Sequence, residues 1–278
     1  MKSSPRQLIQ DIVDSLPPLN TTVLDLVRMA GDPSTSAGDA ERVIMRDGLL
    51  LGTVLREANS AAVSPRSPVT TAHDAVALLG MNRVVALAVS VASRTSLPTS
   101  VDSYGVDADS LRHHHLIALE TVLVLGRHLP AQQRSELATI AVLHDMGKLI
   151  LSALGPGWLT KIGMITASDA IELTALERDL FDVHHGTVGR MMCDHWGIAD
   201  HIGAAVEHHH HPRVGDPLSC GVYLADLAAT IIDPDHGEPI DDDPDLVAGA
   251  LSTCGLRSLD DVVDRVRQRL ERAAGAAL

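Results

Sequence analysis

The stretch "AVLHDMGKLIL", residues 141–151, sets an adjacent histidine and aspartate, His144 and Asp145, in an apolar run with Gly147 and Lys148 just behind them. Burying an imidazole, a carboxylate and an ammonium group in such company costs several kcal/mol unless each finds a partner. The run falls in a predicted helical segment over 133–153, so these polar groups are expected to face something inside a helical core. Lys148 lies one turn from both His144 and Asp145 and should share their side.

Composition agrees with helices packed on helices. The chain has 278 residues and is 45% hydrophobic, enough for a real core, while aromatic residues make up only 2%, which disfavours an aromatic-rich sandwich. The expected fold class is all-α, a multi-helix bundle. Lys and Arg number 22 against 36 Asp and Glu, a formal charge of −14, and no basic cluster is large enough to track a phosphate backbone. Direct nucleic-acid binding is therefore disfavoured. Cys193, Cys220 and Cys254 are too widely spaced for a zinc knuckle and read as reduced packing residues. The longest apolar stretch, "VVALAVSVA" at 84–92, is far short of a spanning helix, and no charged-then-apolar leader opens the chain. A cytoplasmic protein without a membrane partner is expected.

Punctuation divides the chain into two parts. "LPPLNTTVLDLVRMAGDP", residues 16–33, gives a helix of about three turns after a Pro-Pro start. Further helical segments break near Asp47-Gly48 and at Gly80, and Pro65 and Pro68 enforce an extended link. The turn-rich "LPTSVDSYGVDADS", residues 97–110, marks a boundary between an N-terminal helical part, 1–104, and a second part, 105–278. The second part is predicted helical around 110–129, 133–153, 168–181, 185–195, 198–210 and 217–231. The acidic "DPDHGEPIDDDPD", residues 233–245, reads as a solvated loop, and a final amphipathic helix starts at a Ser258 cap.

Thirteen of the 15 histidines lie between residues 113 and 211. They include "RHHHL" at 112–116, "VHHGTVG" at 183–189 and "EHHHHP" at 207–212. Successive helical residues point about 100° apart, so at most one or two rings of each run can reach one point. Taken singly, each run is as readily a set of satisfied or exposed histidines. Together with His144 and Asp145 they suit a metal centre built from several helices, with residue types compatible with Zn, Mn or Fe.

The order His113, His144-Asp145, His185, His209-His210 and Asp226 in "YLADLAA" resembles the HD superfamily of metal-dependent phosphohydrolases. "LREANSAAVSPRSPVTTAHDAVALLGMNRVVALAV", "HDMGKL" and "FDVHHGTVGRMMCDHWGIADHIGAAVEHHHHP" narrow the resemblance to the HDOD signalling domain of bacteria, over about residues 10–231. The resemblance implies that His113, His144, Asp145 and Asp226 form the basic ligand set. It implies that His185, His209 and His210 add the ligands of two-metal members, with Asp145 bridging one or two divalent transition ions. Many HDOD domains lack several of these ligands and act as regulatory modules; this chain keeps the set. The relatives that cleave cyclic dinucleotides carry Gly-Tyr-Pro after their paired histidines, whereas "HHHPRVGDPL" stands here, so cyclic-di-GMP cleavage is not expected.

The implied function is that of a stand-alone HDOD-type signal-transduction protein, whose partners are signalling proteins or a phosphate-containing small ligand. The alternative is a metal-dependent phosphohydrolase acting on a nucleotide or phosphodiester through a metal-activated water. In that case Asp145 and Lys148 would be the catalytic residues, with Lys148 holding a phosphate oxygen.

Overall fold

The computed structural model describes residues 4–17, 21–31, 34–60, 63–96, 104, 108–154, 173–234 and 243–275. Among them there are helices and no strand, which agrees with the all-α expectation. The N-terminal part holds α1 (Pro5–Asp14), α2 (Thr21–Gly31), α3 (Ala37–Ile44), α4 (Gly48–Ala58), α5 (Ala72–Leu79) and α6 (Met81–Ser96). Their starts are set by side-chain caps. Ser36 and Asp39 form a reciprocal capping box on α3, and Asp47 accepts from the Leu49 and Leu50 amides at the head of α4. Each such cap is worth about 1 kcal/mol. Gly80 ends α5 at φ 78°, a conformation that favours glycine.

The second part comprises α7 (Ala108–Leu125), α8 (Ala131–Leu143), α9 (Gly147–Ala153), α10 (Leu173–Phe181), α11 (His185–His195), α12 (Asp200–Glu207), α13 (Pro217–Ile232), α14 (Pro244–Thr253) and α15 (Leu259–Gly275). Helix α13 is buried continuously from Leu218 to Ala229 and runs through the middle, packed along α7 and against α8. A helix apolar on every side belongs in a core. Asp226 is thus carried on an element enclosed along most of its length. Helix α11 pairs with α12 and α9, and α6 lies on α8.

One hydrophobic core runs without interruption from Ile9 and Val13 in α1 to Val262 and Val266 in α15. Polar ties join the same two regions. Trp196 donates its indole N–H to the Pro17 carbonyl at 3.2 Å, and Arg83 pairs with Glu57 and, at 2.9 Å, with Glu120, which also holds Arg269 at 2.7 Å.

Two predicted helices are revised. The 133–153 segment breaks at residues 144–146 into α8 and α9, so His144 and Asp145 sit in a tight turn rather than within a helix. The 198–210 segment ends at Glu207, and His208–His211 lie in a bend after α12. The final helix starts as expected, with the Asp261 amide reaching Ser258 Oγ at 3.4 Å. Residues 168–172 of the predicted 168–181 helix, most of 97–107 and residues 235–242 of the acidic stretch lie outside the described residues. The three cysteines are free and buried, as expected of packing residues. No single described helix is long and apolar enough to cross a membrane.

Candidate metal centre

Four segments meet Asp226 of α13: the middle of α7, the turn between α8 and α9, the start of α11 and the bend after α12. The turn is the pivot. His144 itself keeps helical dihedrals, φ −54° and ψ −39°, but the turn lies in a stretch buried continuously from 141 to 152, so His144 and Asp145 are both enclosed, at most 2% exposed. The bend after α12 does the same for His209 and His210, which are 0% and 8% exposed. His185 enters from the first turn of α11.

Asp145 organises the set. Its Oδ1 lies 3.5 Å from the Nε2 atoms of both His185 and His209, whereas its Oδ2 lies 3.4 Å from His144 Nε2 and 2.7 Å from Lys148 Nζ. His144 Nε2 also stands 3.7 Å from Asp226 Oδ1, which His114 Nε2 contacts at 2.9 Å. Two ligand groups result: Asp145 with His185, His209 and His210, and His114 with His144 and Asp226. The donor atoms within each lie within 4.8 Å of one another.

Hydrogen bonds on the outer ring nitrogens fix which lone pairs face inward. His144 Nδ1 donates to the Ala141 carbonyl at 2.9 Å, His209 Nδ1 to the Val206 carbonyl at 2.6 Å, and His185 Nδ1 to Glu177 Oε2 at 2.7 Å. Each Nε2 is thereby left as an acceptor. His185 and His209 then turn bare Nε2 atoms toward each other at 3.2 Å, an arrangement that is repulsive without a cation between them. His144 Nε2, Asp145 Oδ1 and Asp226 Oδ2 are buried without a hydrogen-bond partner. An orphaned buried polar atom costs about 1–3 kcal/mol, and a cation satisfies all three. The residues present therefore fit a metal.

The electrostatics agree. Burial opposes charge on His144, but Asp145 and Asp226 outweigh it and hold the metal-free ring up to about 10. A proton there takes the place that an ion would fill. Burial likewise opposes the charge on Asp145 and Asp226. It is overcome at Asp145 chiefly by His144 and Lys148, and at Asp226 by His114 and His144, so both carboxyls are held well below the usual range. Burial keeps His185 and His210 well below the ordinary histidine value, hence neutral, as ligands must be.

Of the residues named from sequence, His144, Asp145, His185, His209, His210, Asp226 and Lys148 are brought together. His113 is not: its side chain is 55% exposed and its Nδ1 contacts Asp233 Oδ2 at 2.5 Å. His114, one helical step away, takes the place expected of it at 4% exposure. Within a run of three histidines, only the face that α7 turns to α13 distinguishes them. Sequence reasoning also missed Glu177, which is fully buried. It accepts from the His185 amide at 2.8 Å and from His185 Nδ1, while its other oxygen accepts from the Tyr104 hydroxyl at 2.6 Å. Burial pushes the Glu177 carboxyl up to about 7. A lone glutamate in "LTALERDLF" offers no local signal of this role.

A helical fold whose core gathers histidines and aspartates around an His-Asp turn defines the HD type of protein. The HDOD domain model matches residues 16–212, and the chain belongs to that family. Solved structures of similar fold include an HDOD domain protein of Geobacter sulfurreducens, 18% identical with TM-score 0.75 over 97% of this chain and 96% of that one. A candidate signal transduction protein of Marinobacter aquaeolei is 20% identical with TM-score 0.71, over all of this chain and 62% of that one. A candidate phosphohydrolase of Shewanella amazonensis is 21% identical with TM-score 0.66, over 97% of this chain and 96% of that one. An uncharacterized protein of Treponema pallidum is 22% identical over 229 residues, 81% of this chain. The chain spans 44% of the length of that curated relative.

Proposed function

We propose that the chain is a regulatory HDOD protein of signal transduction whose core holds two divalent transition-metal ions bridged by Asp145. The observation that carries the two-ion reading is the division of Asp145: one carboxylate oxygen serves His185 and His209, and the other serves His144. Membership of the HDOD family supports the signalling role. The partners in this reading are signalling proteins or a phosphate-bearing ligand. His114, His144 and Asp226 would hold one ion and His185, His209 and His210 the other.

A second reading, metal-dependent phosphodiester hydrolysis, is favoured by Lys148, a 4% exposed ammonium 2.7 Å from Asp145 Oδ2. Bound ions would supply an activated water there, and Lys148 would neutralise a phosphate oxygen. The test is a phosphodiester panel, cyclic-di-GMP included, offered to iron-, manganese- and zinc-loaded protein. The regulatory reading expects no metal-dependent turnover. Turnover that Asp145→Ala abolishes and Lys148→Ala largely removes with metal retained would establish the hydrolase instead.

A further inference from the structure

His115 is used by neither ligand group above, yet it forms a third group with one residue of each, His144 and Asp145. Its ring packs edge-on to His144 with centroids 5.1 Å apart, and the ring of His114 lies 5.4 Å from His144 and 6.2 Å from His115, so the three rings form one cluster. Neighbouring side chains on α7 diverge by about 100°, and His144 sits in the notch between them, so both rings reach it. The Nε2 of His115 is buried and has no hydrogen-bond partner. Packing alone gives no reason for a histidine here: an apolar side chain would fill the space without stranding a polar atom, at a saving of about 1–3 kcal/mol. The donor atoms of His115, His144 and Asp145 lie within 4.8 Å of one another, as do those of His114, His144 and Asp226. The two triads share His144, which sets His115 beside the position that an ion held by His114, His144 and Asp226 would take.

We infer that His115 is a further ligand of the ion held by His114, His144 and Asp226. With bridging Asp145, that ion has five protein ligands, and a six-coordinate metal keeps one position. Sites that bind metal for structure are closed, whereas catalytic ones keep room for water and substrate. His115 therefore leaves this ion a single position for water or substrate, where four protein ligands would leave two. The inference rests on the two-metal reading above and adds to it the role of this one ion.

The experiment is a cobalt(II) titration of metal-free protein followed by visible absorption, comparing wild type, His115→Leu and, as a control of equal chemistry, His113→Leu. Wild type and His113→Leu are expected to take two ions with the same spectrum. His115→Leu should bind one ion at least about tenfold more weakly, since even residues that merely orient a ligand cost that much, and its spectrum should change. Wild-type affinity for both ions with an unchanged spectrum in His115→Leu would overturn the inference while leaving the two-metal reading intact. Wild type that binds no cobalt would overturn both. A measurement on wild type covers poor folding of the variant: cadmium-113 loading of nitrogen-15 histidine-labelled protein should show six imidazole nitrogens coupled to cadmium, and five would refute the role of His115.

Discussion

Gly147 abuts the backbone of His185 so closely that a Cβ built at Gly147 would stand 2.8 Å from the His185 carbonyl carbon and 2.9 Å from the Gly189 nitrogen. The first turn of α9 thus lies directly on the first turn of α11, and this contact holds Asp145 Oδ1 and His185 Nε2 3.5 Å apart. Backbone atoms cannot swing aside as a side-chain tip can. Gly147→Ala should cost more than about 3 kcal/mol, through overpacking at a point with no slack. Chemical denaturation would measure it; a loss under 1 kcal/mol with full metal binding would show that the two helices are free to part.

Glu177 carries His185, and Tyr104 carries Glu177. Glu177→Gln keeps the size but weakens the acceptor for two N–H groups of His185, so affinity for the ion that His185 holds should fall about 10–100-fold. Tyr104→Phe, which removes a single donor, should have a smaller effect of the same sign. Competition with a metal-binding dye would rank them. Unchanged affinity in Glu177→Gln would mean that α11 alone orients the ring.

Metal-free protein should lose stability as pH falls from about 6.5 toward 3. His184 is held down to about 3 and His115, His185 and His210 well below 6.5, burial being the first cause in each, so the unfolded chain takes protons there first. The depressed carboxyls of Asp145 and Asp226 add a loss of the same sign below about 3.8. Glu177, raised from 4.5 to about 7, opposes it: its contribution is full below 4.5 and is lost as pH rises through 7. Four rings against one carboxyl leave the net loss on the acid side. Thermal melts across this window would record it, and a melting temperature that climbs toward pH 4 would contradict the buried neutral rings.

His208 and His211, the ends of the four-histidine run, are exposed, and His208 Nδ1 turns back to the Ala204 carbonyl at 2.9 Å. His208→Ala and His211→Ala should leave metal content unchanged, whereas His210→Ala should weaken one ion. Equal losses from all three, by elemental analysis, would misplace the bend after α12.

The all-α fold was legible in the low aromatic share and the helix punctuation, and the His144–Asp145 pair was legible because burial is expensive for charge. An His-Asp pair and a lysine in an apolar run demand partners by the cost of burying them alone, whereas His185, His209, His210 and Asp226 were named through the resemblance to the HD superfamily. Three features were not legible, for physical reasons. The choice of His114 over His113 depends on the rotation of α7 against α13, which the neighbouring residues do not encode. The turn at His144–Met146 and the bend at His208–His211 interrupt segments with good helical composition, because convergence on the site overrides local preference. Glu177 meets His185 through the fold, across residues whose sequence shows only an ordinary amphipathic helix.

The central claim is that Asp145 bridges two ions, and elemental analysis of reconstituted protein tests it most directly. Protein purified without chelator and resupplied with iron, manganese or zinc should hold two ions per chain, and Asp145→Ala should lose more metal than any single histidine variant of the site. A wild-type content that cannot be raised above a small fraction of one ion per chain, or two ions retained in folded Asp145→Ala, would contradict the account.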